Sequence, residues 1–215
     1  MRQTFQTELR ELQTQMAALG SLCADAIAKA VHAFLDDEQE VAASLSTLAD
    51  TMDEKERDIE NMCLRLLLKQ QPVARDLRTI SSALKMVTDM KRIGDQSADI
   101  AEIVRTAEPP AESRTKMYRT MALDVIHMVD ESVDAFLQQD SARADAVIAY
   151  DDKVDAEFDE IKNKIIETLH APSKNEQYVV DLLMIAKYLE RIGDHAVNIA
   201  KWVKYSISGE IEIVN

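Results

Sequence analysis

The sequence predicts an all-α protein built as two tandem three-helix bundles related by an internal repeat, six long helices in all. Three observations carry this. Only four glycines and four prolines punctuate the 215 residues, which leaves few places to turn and favours long helices. Aromatic residues make up 5% of the chain, low for a protein whose strands would draw on them. And Arg92-Ile93-Gly94-Asp95 returns as Arg191-Ile192-Gly193-Asp194, 99 positions later. A repeat of this kind marks each half as one structural unit.

The helices follow from where the chain can break. Break signals fall at Asp36-Asp37, Gln71-Pro72, Pro109-Pro110, Gln139-Asp140 and Ala171-Pro172. The third segment shows the expected periodicity. Val73, Leu77, Ile80, Leu84 and Val87 step by four and three, the seam of a helix packed in a bundle. Met86, Met90, Ile93, Ile100 and Val104 form a second stripe, so this helix should touch two neighbours. The offset of 99 carries Leu84 onto Leu183, Ile100 onto Ile199, Ala101 onto Ala200 and Val104 onto Val203. Ala33-Phe34-Leu35 recurs at a slightly different offset as Ala135-Phe136-Leu137. The expected units are residues 1–107 and 112–208. Pro109 and Pro110 stiffen the connection between them, and a frayed tail is expected from Gly209.

With 47% hydrophobic residues the chain can bury a sizeable core. Its net charge of -14 opposes binding to nucleic-acid phosphates, which demands lysine and arginine. It equally opposes direct docking on anionic lipid. It fits hard cations or a basic protein partner. Cys23 and Cys63 have no spacing partners for metal or redox work, and read as buried thiols in a reducing compartment. The N-terminal stretch from Met1 to Met16 is polar and lacks the apolar core of a signal peptide. No run approaches the roughly 20 apolar residues of a membrane span. A cytoplasmic location without direct membrane insertion is expected.

The chemistry-bearing residues lie on acidic stripes. Glu56 and Glu60 form an i, i+4 pair, and the offset carries them onto Asp155 and Asp159, as it carries Asp53 onto Asp152. In the last helix Glu190, Asp194 and Asn198 stand one turn apart; the first half offers Lys91, Asp95 and Asp99. Like charges at i, i+4 repel by a few tenths of a kcal/mol. A cation held between helices would turn that repulsion into binding, and carboxylates suit hard cations. A solvated acidic face is the competing reading. Gly94 and Gly193, each inside a helix, point either to close helix approach or to room for a metal and its waters.

Tyr188-Leu189-Glu190-Arg191-Ile192-Gly193-Asp194-His195-Ala196-Val197-Asn198-Ile199-Ala200 resembles, nearly letter for letter, the signature of the PhoU family of phosphate transport regulators. Met90 to Glu102 is similar with changes, and Pro72-Val73-Ala74-Arg75-Asp76-Leu77-Arg78 is similar to the family's start of its third helix. The resemblance covers residues 5–206. It implies two tandem three-helix bundles and iron or zinc clusters on repeated acidic motifs. Those motifs fall on Glu56, Glu60, Asp95, Asp155, Asp159, Glu190 and Asp194. Two positions depart. Lys91 stands where the family usually has glutamate, and Asp99 where it has asparagine. A charged lysine cannot ligate metal, while Asp99 could partly restore the lost carboxylate.

The resemblance further implies a negative regulator of phosphate uptake and of the phosphate-starvation response. Such a protein couples a phosphate ABC transporter to a membrane histidine kinase and reaches the inner membrane through those partners. The long amphipathic surfaces and the repeat also suit a homodimer. An iron-storing or di-iron-like bundle and a metal-free helical adaptor stay open as alternatives. Glu167 and His170 supply one Glu-x-x-His motif, where di-iron bundles need two. His195 reads as a ligand or as a histidine at the core's edge, and Trp202 as core packing or a dimer contact. No nucleophile elbow, phosphate-cradling loop or Cys/His cluster is present, so no enzyme is expected.

Overall fold

The computed structural model describes residues 2–70, 72–107, 115–169 and 177–210. Six helices follow one another: α1 (Arg2–Asp36), α2 (Gln39–Gln70), α3 (Ala74–Thr106), α4 (Lys116–Gln138), α5 (Ser141–Leu169) and α6 (Gln177–Ser208). No strand occurs among the described residues. Three of the five expected breaks fall where the helices end. Pro109-Pro110 and Ala171-Pro172 lie outside the described residues.

The two halves turn by the same device. Asp37 and Gln139 both adopt left-handed backbone, at φ 61° and 54°. In each case the next residue's N–H reaches back to a helix carbonyl, Glu38 to Ala33 at 3.1 Å and Asp140 to Ala135 at 3.0 Å. This 6→1 bond closes a Schellman turn. Asp140 Oδ1 then accepts the Arg143 N–H at 3.1 Å, capping the start of α5.

Helices α1, α2 and α3 pack on one another, as do α4, α5 and α6. The bundles join along two seams, α1 against α4 and α3 against α6. Both seams are antiparallel. Arg78 at the start of α3 meets Ser206 at the end of α6, while Asp89 meets His195. Phe34 at the end of α1 meets Tyr118 at the start of α4, ring centroids 5.0 Å apart. The halves are therefore related by an approximate two-fold axis across the seams. Helix α3 thus touches three neighbours, one more than its two stripes implied.

The second stripe of α3, Met86, Met90, Ile93, Ile100 and Val104, is fully buried. The first is only partly so. Ile80 and Val87 are buried, Leu84 half-buried, but Val73 is 67% and Leu77 45% exposed. Val73 precedes the helix, as its extended N-cap residue; for Leu77 and Leu84 the reason is geometric. Ile80, Val87, Gly94 and Ala101 repeat every seven residues and form the buried line. Leu77, Leu84 and Lys91 run on a parallel line one step outward, beside α2.

An 18-residue window within Thr4–Asp36 reaches a mean hydropathy of 1.4, enough by length and composition to cross a membrane. The expectation that no run approaches this is corrected here. The apolar side chains are spent on the core: Leu12, Met16, Leu19, Cys23, Ile27, Ala30 and Phe34 are all buried.

Candidate functional site

The repeated glycines sit where neighbouring helices come close. A methyl group on Gly94 would stand 2.8 Å from the Met52 thioether of α2. On Gly193 it would stand 3.4 Å from Val154 and 3.5 Å from the Asp151 carboxylate of α5. Close approach explains Gly94. At Gly193 the approach is looser, and the neighbouring group is an acid. Asp151 occupies the repeat position of Met52, 99 residues on.

That exchange makes the two grooves unequal. In the α5–α6 groove, Asp151 is half-buried and its carboxyl is pushed up to about 6, by burial first and then by Asp155, Asp194 and Glu190. Burial also raises Asp155, with Glu190 adding to it. Asp194 is raised by burial and by Glu190, while Lys187 pulls the other way. Four carboxylates therefore share one field with one ammonium, Lys187, to balance it. Lys187 hydrogen-bonds Glu190 and lies 5.4 Å from the Phe158 ring centre. Asp159 is exposed, turned to Lys162 on its own helix.

In the α2–α3 groove the lysine has closed the gap. Lys91 Nζ donates to both oxygens of Asp95 at 2.7 Å and lies 3.7 Å from Asp53. Its own pKa rises, chiefly through the bond to Asp95. Arg92 approaches Asp95 at 3.6 Å. Glu56 is raised by burial and by Glu60, with Lys91 opposing. Glu60 is half-buried at the groove's flank. Asp99 is exposed and turned toward α6; burial and Asp95 raise it, while Arg191 lowers it. The same Asp99 raises Tyr188 of α6, after that residue's own burial. It sits nearer the α3–α6 seam than the groove of Asp95.

The structure thus gathers Asp155, Glu190 and Asp194 in one groove, and Glu56, Glu60 and Asp95 in the other. Among the described residues no three His, Cys, Asp or Glu side chains close on a common point as a metal cage. What the α5–α6 groove offers is donor type and four carboxylates against one lysine, Lys187. The α2–α3 groove is internally neutralised at Asp95.

Asp151 and Asp89 were not visible as functional candidates in the sequence. Asp151 extends the Asp155–Asp159 stripe by one turn, but its first-half counterpart is a methionine, so the repeat hides it. Asp89 Oδ1 is 2.9 Å from His195 Nδ1 and accepts from Asn198 Nδ2 at 3.4 Å, tying α3 to α6. His195 is thus half-buried at the seam. Trp202 lies on the same seam, edge-to-face with Tyr205 at 5.8 Å and with Lys85 of α3 6.0 Å from its ring. Glu167 is exposed and pairs with Lys164 at 3.1 Å, while His170 lies outside the described residues.

The PhoU domain model matches the chain twice, over residues 16–104 and 118–203. The chain belongs to the PhoU family. A PhoU homolog of Aquifex aeolicus, described as a phosphate-specific transport system accessory protein, is 35% identical over 206 residues, covering 95% of this chain and 93% of that protein. The equivalent protein of Pseudomonas aeruginosa is 32% identical, covering 96% of this chain and 86% of its own length. The crystal structure of PhoU from Pseudomonas aeruginosa superposes with a TM-score of 0.87 at 31% identity, covering 96% of this chain and all 100% of that one. The phosphate transport system regulatory protein PhoU from Streptococcus pneumoniae superposes at 0.90 with 25% identity, over 98% and 100%. The PhoU fold, with one PhoU domain per repeat, is the fold of this chain.

Proposed function

We propose that this chain is an accessory regulator of a phosphate-specific transport system. It restrains phosphate uptake and keeps the phosphate-starvation response off when phosphate is ample. In this reading it couples a phosphate ABC transporter to a membrane sensor histidine kinase, working in the cytoplasm as a homodimer that reaches the inner membrane through those partners. The observation that supports it most is the match of both repeats to the PhoU domain, with relatives named as accessory proteins of that transport system across nearly the whole chain. The test is a deletion strain grown in high phosphate. Phosphate-scavenging genes should be switched on in it and silenced again by the intact gene. Normal repression in the deletion strain would reject the regulatory role.

The acidic grooves supply the part of this reading that involves metal. Iron or zinc would be held in the α5–α6 groove by Asp155, Glu190 and Asp194, with Asp151 added. Oxygen-only donors and unbalanced negative charge suit a hard cation such as iron better than zinc. Asp159, Glu56, Glu60, Asp95 and Asp99 are weaker candidates. Asp159 is turned to Lys162, Asp95 is engaged by Lys91, which also faces Glu56, Asp99 is turned to the seam, and Glu60 lies at the flank of its groove. A metal-free adaptor is the second reading, and the Lys91–Asp95 pair favours it for the first repeat.

A further inference from the structure

The α2–α3 hairpin of the first repeat ends in a patch that nothing above uses. On α2 the stripe Glu56, Glu60, Leu64, Leu68 advances by one turn at a time, so the acidic groove runs into leucines near the tip. Leu64 is 50% and Leu68 82% exposed. Across the turn Val73 and Leu77 are 67% and 45% exposed. Four of the seven exposed large aliphatic side chains in the described residues thus lie within one helical hairpin.

The fold itself does not demand this. The approximate two-fold axis places the α5–α6 hairpin in the same structural setting; there the offset puts Asn163 and Glu167 at the positions of Leu64 and Leu68, and the exposed aliphatics are two, Ile166 and Val180, at other positions. Leu77 likewise corresponds to Glu176.

The charge changes with the apolar surface. Residues 64–78 carry Arg65, Lys69, Arg75 and Arg78 against one acid, Asp76, a net of +3 in a chain of net -14. The matching stretch 163–177 balances Lys164 and Lys174 against Glu167 and Glu176. Arg78 is occupied, donating to the Ser206 carbonyl at 3.4 Å and packing against Gly209. Arg65 and Arg75 are exposed.

We propose that this tip docks the protein on an anionic lipid surface. Exposed aliphatics beside the exposed Arg65 and Arg75 at the end of a helical hairpin match what a bilayer interface takes: apolar side chains among the acyl chains, cations at the headgroups. The chain's overall negative charge does not forbid it. Screening at physiological salt confines interactions to about 8 Å, whereas helices of this length run roughly 45–50 Å at 1.5 Å per residue. Only the end of the hairpin senses the surface, where Glu60, one turn from Leu64, and Asp76 are outnumbered by the cations of residues 64–78. This goes beyond the regulatory reading, and its vesicle assay contains neither inorganic phosphate nor a transporter.

The full-length protein is sedimented with vesicles of phosphatidylcholine alone and of phosphatidylcholine mixed with phosphatidylglycerol. The expected result is partition onto the mixed vesicles only, released by high salt. R65Q/R75Q should lower that partition on the order of 30-fold, the loss for two cations near a charged surface. L64N/L68N should abolish it at unchanged helical content, since both positions face solvent. No binding to the mixed vesicles, equal binding to neutral ones, or equal partition of variants and parent overturns the proposal. So does loss of repression in cells by the variants with vesicle binding intact, which would assign the tip to a protein partner.

Discussion

Lys91 holds both carboxylate oxygens of Asp95 at 2.7 Å, where the second repeat has Glu190 facing Asp194. An ammonium inside the groove does electrostatically what a bound cation would do. Asp95 is therefore already neutralised, whereas in the second repeat Lys187 engages Glu190 and leaves Asp194 without a direct cation partner. Under iron- and zinc-replete expression, Asp194→Ala should lower bound metal more than Asp95→Ala, and Lys91→Glu should raise it above the parent. Elemental analysis of the purified variants decides this. Equal losses, or a metal-free parent, would reduce both stripes to solvated or partner-binding surface.

Asp151 gives the second groove a pH signature. Its carboxyl is raised to about 6 in the folded state, against about 4 in an unfolded chain. The native form thus holds a proton that the unfolded form gives up, and stability falls as pH rises from about 4 through 6. Below that window the cost is absent. Asp151→Asn should accordingly stabilise the protein at pH 7, by on the order of 1 kcal/mol once solvent screening of this half-exposed group is allowed for. At pH 4 it should change little. Denaturant melts at both pH values check it; an equal gain at both would place the effect in packing rather than charge.

The two helical glycines should respond differently to a methyl group. Alanine gains roughly 1 kcal/mol over glycine in a helix interior. At Gly193 the new methyl meets Val154 at 3.4 Å, ordinary contact, so Gly193→Ala should keep most of that gain. At Gly94 it meets the Met52 thioether at 2.8 Å inside a closed core, so the thioether must swing away and the gain should shrink or reverse. Thermal melts of the two variants give the comparison. A larger gain at Gly94 would contradict it.

Both thiols should be silent in the native protein. Cys63 is raised to about 12 by burial and then by Glu60, and Cys23 is raised further by burial, its Sγ donating to the Met90 carbonyl at 3.4 Å. The thiolate is the reactive form. A thiol reagent should label neither until denaturant is added, when both should react together. Rapid labelling of either in the native state would contradict the packing described.

What the sequence revealed and what it hid follow from the same repeat. Periodicity and break residues placed six helices, because Asp37, Pro72 and Gln139 are local features with local consequences. The periodic stripe also overreached. Val73 and Leu77 fit a seam by spacing, yet spacing does not say whether a neighbour is there to cover it. Repetition singled out the acids that occur twice and passed over Asp151, whose twin is Met52. The contact between Asp89 and His195 spans 106 positions and follows no repeat of its own. It became visible only once α3 and α6 were seen to run antiparallel.

That antiparallel seam has a consequence for how the chain comes apart. Each repeat on its own would leave the buried faces of α1 and α3, or of α4 and α6, open to water, and the last turn of α6 is pinned to the first turn of α3 through Arg78 and Ser206. Neither half is a free-standing lobe. Heat or denaturant should melt them in one cooperative transition. A nick between α3 and α4 should yield two fragments that stay together until that same transition.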